Sequence, residues 1–237
     1  MTLPVVHRFR DAEALADGGA ELVAARLGDA IARRGQASIV LAGGSTPRLL
    51  YQRLIAHPID WASVHIYFGD ERCVPPTDPA SNYRMACEAL VDHLPMPPAQ
   101  LVRIAGELGP AEAAARYAAI VAAAPRLDLV LLGMGDDGHV ASLFPDTAEP
   151  EDDTIAIATR SPIAPHQRVS LTLRAIAAAR TVVLLVSGAA KAARLAAVHA
   201  ELRAGRPVLP AARIGPAIWL VDEAAAQAIT AAVETSR

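Results

Sequence analysis

LVLLGMGDDGHVASLFP, residues 129–145, joins a continuous apolar run to a loop holding three glycines, two aspartates and a histidine. The run reads as a buried strand, and Gly133, Gly135 and Gly138 make a formal G-x-G-x-x-G. A pyrophosphate fingerprint uses such glycines to bring backbone N–H groups to phosphates at a helix N-terminus. Here Asp136 and Asp137 place two negative charges beside that anion. Pro145 stands seven residues after Gly138, too soon for the helix the fingerprint requires. The next acids, Asp152 and Asp153, precede a strand, whereas a ribose-binding acid lies at a strand's end. The nucleotide reading is rejected. What remains is a tight loop presenting Asp137 and His139, in which the carboxylate orients the imidazole or shares a proton network with it. The plain alternative is that Asp137 caps a helix starting at Gly138 and His139 is buried for packing.

Working outward, similar apolar runs recur: SIVLAGG (38–44), VHIYFGD (64–70), LDLVLLG (127–133), TVVLLVSG (181–188) and AIWLVD (217–222). Between them lie Ala/Leu-rich helical patterns, clearest over residues 12–34, with another predicted from about Thr46 to Ala56. Continuous apolar strands alternating with helices indicate a mostly parallel sheet with helices on both faces, a modified Rossmann-like α/β arrangement. TIAIATR (154–160) and QRVSLTLRAI (167–176) alternate more and predict a small additional β element. No internal repeat is visible, and the Pro-rich stretches read as loops, so a single domain over residues 1–237 is expected. In open α/β sheets, ligands bind beyond the carboxyl ends of the strands. Four strands end in conspicuous residues there: Gly43-Gly44-Ser45-Thr46, Asp70-Glu71-Arg72, the Gly133–His139 loop, and Gly188 followed by Lys191.

Composition narrows the classes. The 237 residues are 53% hydrophobic with a net charge of −3, enough for one sizeable core. Basic residues are dispersed and balanced by acids, which argues against a nucleic-acid partner. The N-terminal residues lack the apolar stretch of a secretory signal. Arg180, Lys191 and Arg194 interrupt the longest apolar runs, so no membrane span and a cytoplasmic location are expected. Cys73 and Cys87 form no C-x-x-C, arguing against structural zinc or a disulfide framework. Of 22 cationic residues, 21 are arginine and one, Lys191, is lysine. That exception suggests that a compact ammonium is required at residue 191.

Five ordered motifs carry a resemblance: LAGGSTPRLLY (41–51), GDERCVPPTDPASNYRM (69–85), LDLVLLGMGDDGHVASLFP (127–145), RVSLTL (168–173) and LVSGAAKAARL (185–195). In this order the chain resembles the 6-phosphogluconolactonases, within the wider family that includes glucosamine-6-phosphate deaminases. The resemblance implies hydrolysis of 6-phospho-D-glucono-1,5-lactone to 6-phosphogluconate in the oxidative pentose phosphate pathway. It implies a small sugar-phosphate lactone as the partner, and neither a metal nor an organic cofactor.

The residues themselves fit that chemistry. Gly43, Gly44, Ser45 and Thr46 lead from a strand into a helix, with Thr46 or Ser45 as the expected N-cap and Pro47 in the first turn. Amides and dipole there favour an anion. Arg72 can hold a phosphate by bidentate hydrogen bonds, or pair at the surface with its acidic neighbours. Asn82 can bind a sugar hydroxyl or cap a helix. Lys191, and more weakly Arg168, are further phosphate candidates. An activated ester needs no covalent nucleophile, so His139 is expected to take a proton from the attacking water, with Asp137 or Asp70 orienting it or the sugar. Glycine-loop amides are candidate donors to the oxyanion. The related deaminase loop typically reads D-G-H-I-A-F-N-E-P, with a working glutamate where this chain has Phe144. A non-catalytic sugar-phosphate sensor is the remaining alternative; such proteins usually carry a helix-turn-helix module, and only one helix is expected before the first strand.

Overall fold

In the computed structural model, which describes residues 3–150 and 152–229, the apolar runs become the strands of one wholly parallel sheet. The strands are β1 (Val5–Phe9), β2 (Ala37–Leu41), β3 (Val64–Phe68), β5 (Gln100–Leu101), β6 (Leu129–Gly133), β9 (Thr181–Val186) and β10 (Ile218–Asp222). They lie in the order β1-β10-β9-β6-β2-β3-β5. A second, antiparallel sheet of β4 (Asp70–Arg72), β8 (Gln167–Leu171) and β7 (Ala156–Arg160) has the order β4-β8-β7. Helices cover both faces of the main sheet. Among the described residues, no helix is long and apolar enough to cross a membrane.

Helix α1 (Ala12–Arg34) has the bounds its periodicity predicts. Asp11 caps it by accepting from the Ala14 amide, and Gly35 ends it in the left-handed conformation (φ +73°). It packs along α2 (Ser45–Leu54) over β2, β6 and β10. The remaining longer helices are α3 (Asn82–Ala89), α4 (Pro110–Ala123), α5 (Leu173–Ala177) and α6 (Ala192–Arg203). Three expectations need correction. A strand, β1, precedes α1 where the sequence predicts a helix first; VVHRF is partly exposed and interrupted by His7 and Arg8, and is a strand because β10 pairs with it. The strand expected over 167–176 stops at Leu171, because Thr172 accepts from the Ala175 amide and caps α5. Neither Ser45 nor Thr46 caps α2; Gly44 (φ +106°) is the cap residue and Ser45 is already helical.

The strand order locates the crevice. From β2 the chain builds outward through β3 and β5 on one side, and from β6 through β9 and β10 on the other. Connections leaving β2 and β6 therefore diverge, and a cleft opens between their carboxyl ends. The small sheet forms the facing wall.

Candidate active site

The cleft encloses about 750 Å³. It is lined by each residue the sequence proposes for catalysis or substrate binding: Gly43, Gly44, Ser45 and Thr46 after β2; Asp70 and Arg72 on β4; Asn82 on α3; Asp137 and His139 after β6; Arg168 on β8; and Lys191 after β9.

The loop after β6 forms no helix, so Asp137 is not a cap. Its Oδ1 accepts from the His139 amide at 3.1 Å and lies 2.6 Å from His139 Nδ1. In the tautomer that carries its ring proton on Nδ1, His139 donates to Asp137 and Nε2 has no hydrogen-bond partner among the described residues. Partial burial pushes the Asp137 carboxyl up, but the His139 amide and ring outweigh it and hold it below the usual range. The Phe144 ring stacks obliquely on the imidazole, with centroids 4.6 Å apart, and is itself buried. Gly135 is required by closeness: a Cβ there would meet His139 Nδ1 at 2.0 Å. The amides of Gly135, Gly138 and His139 are all engaged within the loop, on the His139 carbonyl, the Gly135 carbonyl and Asp137. These three are thus removed as oxyanion donors.

Asp70 makes no hydrogen bond to His139. Its carboxylate accepts from Ser142 Oγ at 2.6 Å and from Asn82 Nδ2 at 3.2 Å. Asn82 is not the cap of α3; Ser81 is, by accepting from the Arg84 amide. Buried Asn82 instead joins the two loops, donating to the Asp70 carbonyl at 3.0 Å and packing so tightly on Gly43 that a Cβ would lie 2.1 Å from its Oδ1. Glu71 turns away from the cleft. It accepts from the amides of Arg72, Asn82 and Tyr83 and from Ser81 Oγ, and burial still pushes its carboxyl above the usual range.

The cations divide into two sets. Arg72 and Arg168 are register partners across β4 and β8, so two guanidiniums stand side by side. Arg72 donates to the Ala80 carbonyl rather than pairing with its acidic neighbours, and its buried Nε has no partner. Arg168 is buried and donates to the Pro165 carbonyl at 2.7 Å; burial, then Arg72, pushes it below the usual guanidinium range. Like charges held together in a half-buried wall are stabilised by an anion between them. Lys191, on a short turn before α6, lies 2.5 Å from Asp136 Oδ1, and Arg194 donates to the Asp136 carbonyl at 3.0 Å.

Sequence reasoning missed Asp136 as the Lys191 partner and Ser142 as the Asp70 partner. Both lie in the quoted motif, but their partners are 55 and 72 residues away in sequence, and no local pattern marks them. Among the described residues, no group of three or more His, Cys, Asp or Glu side chains is placed to hold a metal.

A family model described as glucosamine-6-phosphate isomerases/6-phosphogluconolactonase matches residues 10–221. A 6-phosphogluconolactonase of Mycobacterium leprae is 39% identical, over 94% of this chain and 98% of that protein. One of Streptomyces coelicolor is 40% identical, over 94% of this chain and 92% of that protein. The crystal structure of a 6-phosphogluconolactonase from Shewanella baltica superposes with a TM-score of 0.79 at 32% identity, covering 92% of this chain and 97% of that one.

Proposed function

The chain belongs to the glucosamine-6-phosphate isomerase/6-phosphogluconolactonase family, and on that premise we propose that it hydrolyses 6-phospho-D-glucono-1,5-lactone to 6-phosphogluconate. The observation that carries this choice within the family is the Phe144 ring stacked on His139. In the deaminase pattern this position is a glutamate that works with the histidine in opening the sugar ring. A phenyl ring transfers no proton. It leaves a histidine backed by one carboxylate, which suffices for adding water to an activated ester.

In this mechanism His139 Nε2 accepts a proton as water attacks C1 of the lactone. The C1 oxygen becomes an oxyanion in the tetrahedral intermediate. On its collapse the bond from C1 to the ring oxygen breaks, and the imidazolium returns the proton to that oxygen. Asp137 keeps the proton on Nδ1 and stabilises the transient imidazolium. Asp70, held by Ser142 and Asn82, faces the cleft as an acceptor for sugar hydroxyls. Arg72 and Arg168 hold the phosphate from the small sheet, and Lys191 adds to them once the anion displaces Asp136. The amides opening α2 supply further N–H donors for the phosphate.

The test is a coupled assay with lactone generated in place and its disappearance followed against the spontaneous rate. The wild type accelerates it, and His139→Ala lowers kcat by roughly 10²–10⁴-fold with 6-phosphogluconate affinity held within a few-fold. A folded His139→Ala protein of near-normal kcat removes His139 as the base. A loss confined to affinity makes it a binding residue.

A further inference from the structure

Tyr51 and Tyr117 lie on different helices, are both fully buried, and make the same pair of contacts on neighbouring strands. The Tyr51 hydroxyl accepts from the Ala42 amide at 2.8 Å and donates to the Ala42 carbonyl at 2.9 Å. The Tyr117 hydroxyl accepts from the Phe68 amide at 2.8 Å and donates to the Phe68 carbonyl at 2.7 Å. In each case the bridged residue stands immediately before a glycine that opens a site loop: Gly43 after Ala42, and Gly69, followed by Asp70, after Phe68.

The strand pattern explains why these hydroxyls are needed. The amide and carbonyl of one strand residue point to the same side, and successive residues alternate. The Leu41 carbonyl accepts from the Gly69 amide, so Ala42 faces the β6 side. The β2–β6 ladder, however, ends at Val40–Val130. On β3, the Ile66 carbonyl accepts from the Val102 amide, and the β5 ladder ends at Ile66–Leu101. Phe68, two residues on, faces the same side past the last partner. Both strands therefore run into the site beyond their neighbours, leaving an amide and a carbonyl in the interior to be satisfied. Burial pushes both phenols far above their ordinary range, so each hydroxyl keeps the proton it donates.

We propose that Tyr51 and Tyr117 are positioning residues for the reaction proposed above: each hydroxyl stands in for the missing strand and fixes where a site loop leaves the sheet. Tyr51 sets the Gly43–Thr46 turn. Because it lies on the helix that this turn opens, it closes strand, turn and helix into one ring. Tyr117 sets Asp70 and Arg72. Its helix also packs on β7 and β8, so it ties the main sheet to the opposite wall of the cleft.

Phenylalanine keeps each ring and removes only the hydroxyl. Well below the melting temperature of each variant, Tyr51→Phe raises KM and weakens 6-phosphogluconate about tenfold while kcat stays within about twofold, since it loosens an anion-binding turn. Tyr117→Phe, which releases both Asp70 and Arg72, lowers kcat and raises KM together, each by about tenfold. Lowered melting temperatures with unchanged kinetic constants overturn the proposal, because a merely structural hydroxyl does just that. Hydrogen exchange on the wild type tests the same point without any variant: the Ala42 and Phe68 amides are as protected as the ladder amides of Val40 and Ile66. Fast exchange at either amide overturns its clasp. A wild type that shows this protection but no lactonase activity overturns the functional reading instead.

Discussion

At Lys191 and Asp136, one ion pair leads to two predictions of opposite sign. In the free protein the ammonium is neutralised by Asp136, which Lys191 in turn holds below the usual carboxylate range. A phosphate must therefore displace a carboxylate to reach it. Lys191→Ala weakens 6-phosphogluconate by about 1.5–3 kcal/mol, the worth of a charge-assisted hydrogen bond, and barely alters unphosphorylated gluconate. Asp136→Asn removes the competitor and tightens the phosphorylated ligand. Calorimetric titration reads both. Equal loss of the two ligands in Lys191→Ala would make the lysine structural, and weaker binding in Asp136→Asn would make the aspartate part of the site. Asp137 has a signature in acid. Its folded value lies below the unfolded one of about 3.9, so its contribution to stability is fully present above that pH and is lost as pH falls through the lowered value. Asp137→Asn accordingly flattens the acid limb of melting temperature against pH. An unchanged acid limb would show that the His139 contacts add nothing to stability.

The element to which the chemistry is assigned in our proposal is the loop from Gly133 to Thr147, and its shape is held by its own backbone. Gly135 donates to His139, Gly138 to Gly135, and Leu143 to Val140; the Phe144 amide donates to Thr147 Oγ1. Phe144 packs its ring on His139 within this loop. Phe144→Glu puts an unpaired carboxylate against the imidazole in a buried place, which is costly. The variant is expected to lose stability and lactonase activity, and to release no ammonia from glucosamine 6-phosphate. Ammonia from the wild type at a rate comparable with lactone hydrolysis would overturn the assignment within the family. The long elements around this loop were legible because apolar runs and the periodicity of α1 report burial directly. Others were not. β4 is three charged residues and β5 only two, so each is a strand only because a partner lies alongside. The cap at Gly44 was misread because Ser45 and Thr46 are better caps by type, and the backbone conformation that decides the matter is invisible in sequence. The end of β8 was misread because Thr172 suits a strand as well as a cap.

At the scale of the whole molecule, the cleft is a joint between two sheets. Strand ends made its main-sheet wall legible, but nothing local showed that Arg72 and Arg168 would be neighbours, because 96 residues and an antiparallel register separate them. That pairing makes the free protein hold two guanidiniums in a half-buried wall opposite His139, and a bound sugar phosphate ties the walls together. Ligand binding only to the folded state stabilises by about 2.7 kcal/mol at a hundredfold excess over Kd. In a chain of this size each kcal/mol is worth about 2–4 °C, so saturating 6-phosphogluconate is expected to raise the melting temperature by roughly 5–10 °C. Inorganic phosphate, which lacks the sugar hydroxyls that Asp70 accepts from, gives a smaller rise, and gluconate less still. Arg168→Ala removes most of the rise with 6-phosphogluconate while leaving the small effect of gluconate in place. A full shift in Arg168→Ala would take the phosphate away from the small sheet. A shift as large with gluconate as with its phosphate would show that the arginine pair does not recognise the ligand.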